Sequence, residues 1–264
     1  MPATPRGFIL AAGLGTRLRP LTETLPKPLV PIAGEPLIVR AIRQLAAVGI
    51  TEIGVNLFHL GDLIRDRLSD GSGLGVQLTW FDERPQVLGT GGGLKQAEAF
   101  LRGGGSDHFV LCNADVWHDF DLRTVLAAHH PGQLATLAVH RCVRRPELHT
   151  VVCRQERPNA GHIVQIGGDL DALPPGDFAA IYSGIAVYGA QLFDWLPAAK
   201  VCGLVSHGLL PAMAAGQTVR WVEPAGTWFD CGTHAEVLRA AGHALRMRAM
   251  RRGQGSSVAM ARVA

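Results

Sequence analysis

Gly13, Gly15, Thr16, Arg17 and Lys27 follow directly on the apolar run Phe8 to Ala12, and residues of these types so close together can hold phosphates. A glycine lets the backbone take positive φ and bring its N–H groups against an anion, while arginine and lysine add charged donors. Pro26 and Pro28 flank Lys27, which predicts an extended, stiff segment that aims the ammonium at one point. A second candidate is Asp115, which comes just after the apolar run Phe109 to Leu111 and the turn-forming Asn113. In an open α/β sheet ligands bind at the carboxyl ends of the strands, so a carboxylate there would meet one. The same position suits an ordinary turn or helix cap, and residue type alone leaves both readings open.

Known phosphate loops separate on single residues. A Walker A loop needs a lysine directly after its last glycine, and Thr16 stands there. A dinucleotide loop needs G-x-G-x-x-G, and Leu18 replaces the third glycine. Glu35 lies where a ribose-binding acid would be expected, but in a G-E-P turn with no helix before it. Neither loop gives Lys27 and its prolines a role. The segment instead resembles the sugar-1-phosphate nucleotidyltransferases, whose signature is G-x-G-T-R-x-x-P-x-T followed by P-K-P-L. Gly13 to Thr22 and Pro26 to Leu29 match it in full, and the resemblance runs over roughly residues 7 to 240, through GTGGGLKQA (89–97), VLCNADVW (110–117), YSGIAVY (182–188) and WFDCGT (228–233). Within the family the likeness is greatest to the small uridylyltransferases that act on N-acetylmuramic acid 1-phosphate in cell-wall recycling.

The resemblance implies a reaction: a sugar-1-phosphate oxygen attacks the α-phosphorus of an NTP, giving a nucleotide-sugar and pyrophosphate. No general base is required, because a phosphate monoester with a second pKa near ~6 arrives mostly dianionic. It implies Arg17, Lys27 and Asp115 as catalytic residues. It implies nucleotide binding by Ala11, Ala12, Gly13, Leu14, Gly15 and Thr16, with the amides of Leu14 to Thr16 and Arg17 on the β and γ phosphates and Lys27 on the α-phosphate. Asp115 and Asp230 would carry Mg²⁺, an ion that takes one or two carboxylates and completes its shell with phosphate and water oxygens. Gln86 with Gly91 would read the base; an amide offers both a donor and an acceptor to a uracil edge, which favours UTP or dTTP. The muramic acid relatives carry Glu at that place, so Gln86 is a departure. Gly91, Gly92 and Gly93 would bring the backbone against the base plane, or else only turn the chain into a helix. Tyr182, Ser183 and Gly184 are acceptor candidates by likeness, with an ordinary buried strand as the equal alternative. A Glu-Lys-Pro sugar-gripping motif of many relatives is absent, and Arg144, Arg145 and Lys200 read more simply as solvated charges.

The expected frame is a Rossmann-like, doubly wound mixed α/β sheet of the nucleotide-diphospho-sugar transferase type with a small β-rich acceptor-side region. Strands fall at Phe8 to Ala12, Thr51 to Asn56, Val76 to Phe81 and Phe109 to Asn113, alternating with helices from Leu37 to Val48, Leu60 to Leu68 and Gly92 to Leu101. From Leu134 the pattern turns strand-rich, over Leu134 to His140, Thr150 to Arg154, His162 to Ile166 and Ile181 to Tyr188, which predicts a meander or side sheet over the acceptor. A helix from Gly203 to Ala215, strands Thr218 to Glu223 and Thr227 to Cys231, and a helix from His234 close the chain. One domain over 1–250 is expected, with a nucleotide-binding half at 7–133 and an acceptor-binding half at 134–240. Asp119 reads as a helix cap, and His129 and His130 as a favourable charge at a helix end.

With 264 residues, 47% hydrophobic and 18% charged, the chain can bury a full α/β core. The five cysteines are scattered without a C-x-x-C pair, which indicates buried thiols rather than zinc or disulfides. No apolar run reaches the ~20 residues of a membrane span, and the opening MPATPRGF lacks the apolar core of a leader, so a cytoplasmic protein with no membrane contact is expected. Six arginines lie after Glu236 against a net charge of +3, which leaves the rest of the chain net acidic and argues against a nucleic-acid surface. Residues 251–264 read as a disordered tail, and the oligomeric state, monomer or homodimer, is not encoded legibly. A dinucleotide oxidoreductase lacks its third glycine here. A GT-A glycosyltransferase would want D-x-D, where Asn113-Ala114-Asp115 lacks the first acid.

Overall fold

The structure is a computed structural model that describes residues 4–141, 148, 150–167, 173–198 and 200–260. The first seven strands are β1 (Gly7–Leu10), β2 (Pro31–Ile32), β3 (Glu35–Pro36), β4 (Glu52–Leu57), β5 (Gln77–Asp82), β6 (His108–Asn113) and β7 (Val116–His118). They are followed by β8 (Ala135–His140), β9 (Thr150–Arg157), β10 (Ala160–Ile166), β11 (Asp177–Gly189), β12 (Val219–Val222) and β13 (Trp228–Asp230). Nine of these form one sheet in the order β5-β4-β1-β6-β11-β8-β12-β10-β9. The first four are mutually parallel, whereas β11 runs antiparallel to both β6 and β8. The mixed sheet expected from the sequence is therefore present.

Alternation along β1 sets the two faces. Ile9 points into a cluster with Ile38, Ile42 and Leu45 of helix α1 (Leu37–Ala47), while Phe8 points the other way against Phe81 and Leu94. The i, i+3, i+4, i+7 spacing of apolar residues in α1 makes this one-sided burial possible, and each Leu or Ile so buried is worth about 1.5–3 kcal/mol relative to exposure. Gly49, at φ +86°, takes the left-handed step after that helix that a side chain would resist. The expected helix from Gly92 to Leu101 is two: α3 (Gly89–Gln96) and α4 (Glu98–Arg102), separated at the fully buried Ala97.

The strand-rich middle is not a side sheet. The 13-residue β11 pairs through its second half with β6 and β8 and through its first half with β9, so the expected meander is continuous with the main sheet. What makes this possible is a break in register between Tyr182 and Ala186, where Gly184 has φ +79°. A Cβ there would sit 2.7 Å from Asn113 Nδ2, so glycine is required both by the backbone and by the neighbouring strand end.

The remaining helices are α2 (Gly61–Leu68), α5 (Leu122–Ala128), α6 (Leu210–Ala214) and α7 (His234–Met260). The predicted helix from Gly203 begins instead as a π-helical turn, Val205–Leu209, before α6. The cap of α5 is Asp121, whose side chain accepts from the Arg123 N–H; Asp119, expected as the cap, accepts from Thr227 N–H and faces His243 at 3.5 Å. Helix α7 enters the segment 251–264 read as a tail, and residues 261–264 lie outside the described residues.

His129 does not supply a charge at the end of α5. Burial, reinforced by His108, lowers its pKa to about 4, and burial lowers that of His118 to about 3. Both imidazoles are neutral in the folded state, whereas near pH 6 an unfolded chain would protonate them. Their contribution is complete above the ordinary histidine value and is lost as pH falls towards the folded values. Denaturation measured across pH 7 to 4 should therefore show stability falling with pH, and His129→Gln should flatten that fall; an unchanged slope would contradict the assignment. Gly184→Ala should cost about 1–3 kcal/mol in denaturant titration, the scale of a residue forced into the left-handed region.

Candidate active site

The loop after β1 is shaped by one glycine. Gly15 has φ +63°, and a Cβ on it would lie 3.0 Å from Thr22 Cγ2 and 3.2 Å from Lys27 Cβ. The buried Thr22 hydroxyl donates to the Gly15 carbonyl at 2.8 Å, which ties the loop to the short 3-10 turn Leu21–Glu23 that precedes Lys27. Gly13, by contrast, has open space where a Cβ would be, and Leu14 is 47% exposed. Lys27 is not extended as its prolines predict. Pro26 is extended, but Lys27–Leu29 form a single 3-10 turn closed by Val30 N–H on the Lys27 carbonyl, with Pro28 inside it. The proline at the second position of a helical turn has no N–H to waste there, so the turn is compatible with the sequence. It buries the Lys27 side chain to 8% exposure, and Nζ lies 2.7 Å from Asp115 Oδ2.

Asp115 sits between β6 and β7, and its carbonyl accepts from the Cys231 N–H at 3.0 Å. The antiparallel ribbon of β7 and β13, with Asp230 opposite Val116, is what carries the second carboxylate to the first. Asp230 is 5% exposed, and its Oδ2 lies 3.7 Å from Arg17 Nη1. At Gly232 a Cβ would fall 2.5 Å from Arg17 Nη2 and 2.8 Å from Asp230 Oδ2, so this glycine leaves room for the pair. Burial pushes the Cys231 thiol up to about 12, with Asp115 and Asp230 adding to the shift and Lys27 opposing it, which keeps it an inert thiol beside the carboxylates. The same reading holds for the free, buried Cys112, Cys153 and Cys202. Among the described residues no three His, Cys, Asp or Glu side chains gather into a metal cage.

A cleft at the carboxyl ends of the parallel strands has two lobes. The first, about 200 Å³, is lined by Ala11 to Gly13, Lys27, Asn56, Glu83, Val87 and Gly89. The second, about 260 Å³, is lined by Arg17, Tyr182 to Gly184, Leu204, Val205 and Asp230. Leu10, Thr90, Asn113 and Asp115 line both. The carboxylate of Asp115 thus stands at the seam, with the lysine on one side and the arginine and second aspartate on the other.

Most residues singled out in the sequence meet in this cleft, but five do not: Leu14, Gly15 and Thr16 continue the loop beyond the lining of either lobe, and Gln86 and Gly91 lie apart from it. Gln86 is exposed and outside the lining of either lobe. Gly91 is buried, and its N–H donates to the Cys202 carbonyl at 2.9 Å. In their place the first lobe presents Glu83 and Asn56, which sequence reasoning missed. Asn56 Oδ1 accepts from the Ala11 N–H, Asn56 Nδ2 donates to Glu83 Oε1, and Glu83 Oε2 accepts from the Leu88 N–H, each at 2.7 Å. Burial pushes the Glu83 carboxyl up while those two donors hold it back. The signal that could have found it is the one that found Asp115: an acid directly after a strand at the binding edge of the sheet. On the acceptor side, Ser183 Oγ donates to the Ala138 carbonyl at 2.7 Å, Tyr182 and Tyr188 share their hydroxyls at 3.3 Å, and the Trp228 indole donates to the Ser183 carbonyl. Burial pushes the Tyr182 phenol well up. These groups shape the second lobe more than they offer it free donors. Lys200 is exposed, and Arg144 and Arg145 lie outside the described residues.

Comparison with known proteins agrees with this geometry. The nucleotidyl transferase family model matches residues 6–164. An N-acetylmuramate alpha-1-phosphate uridylyltransferase of Neisseria meningitidis serogroup B is 34% identical, over 89% of this chain and 96% of that protein. A mannose-1-phosphate guanyltransferase of Gibberella zeae is 32% identical over 88% of this chain, which spans only 62% of that longer protein. Among solved structures, a putative glucose-1-phosphate thymidylyltransferase from Bacillus anthracis superposes with a TM-score of 0.73 at 27% identity, covering 90% of this chain and 94% of that one. With the family model matched over more than half of its length and a relative 34% identical over nearly the whole of both proteins, the chain belongs to the nucleotidyl transferase family.

Proposed function

We propose that this protein transfers a nucleotidyl group from an NTP, with UTP favoured, to a sugar 1-phosphate, and that N-acetylmuramic acid 1-phosphate is the acceptor. The observation that carries the reading is the seam: Lys27 Nζ at 2.7 Å from Asp115, between one lobe lined by the loop after β1 and one bordered by Arg17 and Asp230. The likeness to the Neisseria uridylyltransferase over nearly its whole length supports the choice of base and sugar. The enzyme belongs to a cytoplasmic route of nucleotide-sugar formation for cell-wall recycling, with residues 7–133 as nucleotide half and 134–240 as acceptor half of one domain.

The protein's task is to hold two mutually repelling anions in line and to stabilise charge on the transferring phosphoryl group. Arg17 and the loop amides of Leu14 to Thr16 take the β and γ phosphates. Lys27, fixed by its turn, meets the α-phosphate. Asp115 and Asp230 fit Mg²⁺: two hard oxygen donors brought together by the β7 and β13 ribbon, with Gly232 leaving the space beside Asp230 clear. When bound, the ion supplies charge neutralisation of phosphate oxygens. Glu83 and the Gly89 backbone take over the base-reading role assigned in the sequence to Gln86 and Gly91. A carboxylate accepts from the N3–H of uracil or the N1–H of guanine, whereas cytosine and adenine present a bare nitrogen there.

Pyrophosphate release should therefore be measured with UTP, dTTP, GTP, CTP and ATP against N-acetylmuramic acid, N-acetylglucosamine, glucose, mannose and heptose 1-phosphates, with Mg²⁺ and with EDTA. The expected result is turnover with UTP and the muramic acid phosphate, abolished by EDTA. Turnover confined to GTP and mannose 1-phosphate would overturn the substrate assignment, and silence throughout would overturn the reading. Lys27→Ala and Asp115→Ala should each lose at least ~100-fold in rate, the scale of one pre-organised electrostatic contact; a variant with near-normal turnover would remove that residue from the mechanism.

A further inference from the structure

Within the run Gly89-Thr90-Gly91-Gly92, Gly91 and Gly92 line neither lobe of the cleft. The Gly91 and Gly92 N–H groups both donate to the Cys202 carbonyl, at 2.9 and 3.2 Å, and the Cys202 N–H returns to the Leu88 carbonyl at 2.9 Å. The Leu204 N–H donates to Thr90 Oγ1 at 2.9 Å. A Cβ on Gly89 would lie 2.7 Å from the Cys202 carbonyl oxygen, on Gly91 2.9 Å from Cys202 Sγ, and on Gly92 2.6 Å from the Lys200 carbonyl oxygen. Three glycines in four residues thus meet one short segment, 200–204. That segment leads straight into Leu204 and Val205, which form a wall of the second lobe, while Gly89 and Thr90 border the first. The wall then enters a π-helical turn, Val205–Leu209, a local irregularity that the packing of the preceding segment must hold in place.

We propose that the glycine run is a seat for the segment 200–204 and positions the acceptor-side wall, so that Gly92, Gly91 and Thr90 determine affinity for the sugar phosphate rather than for the base. This rests on the nucleotidyltransferase reading above. Gly91 lines neither lobe, and the atoms that a Cβ on it would crowd all belong to Cys202 and Gly203, so enlarging it displaces the seated segment without touching a bound nucleotide. Thr90 Oγ1 adds a side-chain acceptor for the segment's backbone.

The test is Gly91→Ala, with Cys202→Val, which crowds the same contact from the segment's side, as the second variant should the glycine variant fail to fold. For each, the KM for the sugar phosphate that the wild type turns over is compared with the equilibrium affinity for UTP alone. The expected result is an acceptor KM raised about ten- to a hundredfold, the scale of a misplaced wall, with UTP affinity as in the wild type. Loss of UTP affinity with an unaltered acceptor KM would restore the glycines to the base and overturn the proposal, as would equal effects on both or no effect on either. A wild type that turns over no sugar phosphate would instead bring down the nucleotidyltransferase reading, and this inference with it.

Discussion

The ion pair between Lys27 and Asp115 is the constraint from which the rest of the site follows. A lysine at 8% exposure cannot be left alone in a protein interior, because an unpaired buried charge costs several kcal/mol. The chain meets that demand with a carboxylate from the far side of the phosphate loop, and the meeting point is the place where both lobes of the cleft open. Turn, strand end and ribbon all serve this contact: the 3-10 turn delivers the lysine, β6 delivers the aspartate, and the Cys231 N–H on the Asp115 carbonyl fixes the aspartate to β13. A buried pair of this kind contributes little net stability, and its value lies in charge held ready at a fixed point.

Around that pair the sheet divides labour by strand direction. The parallel strands β5, β4, β1 and β6 end together and give the loops of the first lobe, as an open α/β sheet does. The antiparallel β11 then crosses the same edge in the opposite sense, and its kink at Gly184 wraps the chain around Asn113 to wall the second lobe. One sheet therefore supplies the walls of both lobes.

Much of this was legible in the sequence for physical reasons. Strands β1, β4 and β6 were legible as mainly apolar runs buried on both faces, the edge strand β5 less so, and α1 by its helical spacing. That Lys27 and Asp115 meet at the strand ends was within reach because each comes after a buried strand, whereas residue type alone left Asp115 open between a ligand contact and a cap. The failures have equally definite causes. The sequence left a meander or a side sheet open because the pattern of Ile181 to Tyr188 shows strand but not which neighbours it takes, and a single glycine kink lets one strand pair with three within the main sheet. Lys27 was expected extended because a following proline disfavours the helical region, but the demand to bury the ammonium on Asp115 selected a 3-10 turn instead. Asp119 and Asp121 both precede α5, and only the contact with Thr227, distant in sequence, shows which one is occupied elsewhere. Gln86 and Gly91 were chosen by likeness of spacing, and packing against residues 200–204, unreadable from local sequence, decides otherwise for Gly91.

The central claim is that the bond broken lies between the α and β phosphates of the nucleotide, under Lys27. The most direct measurement follows two radiolabels through one turnover with the accepting sugar phosphate. With the α-phosphate of UTP labelled, the account places all converted label in the nucleotide-sugar; with the γ-phosphate labelled, it places all of it in pyrophosphate. Release of γ label as orthophosphate, or α label that never joins the sugar, would contradict it.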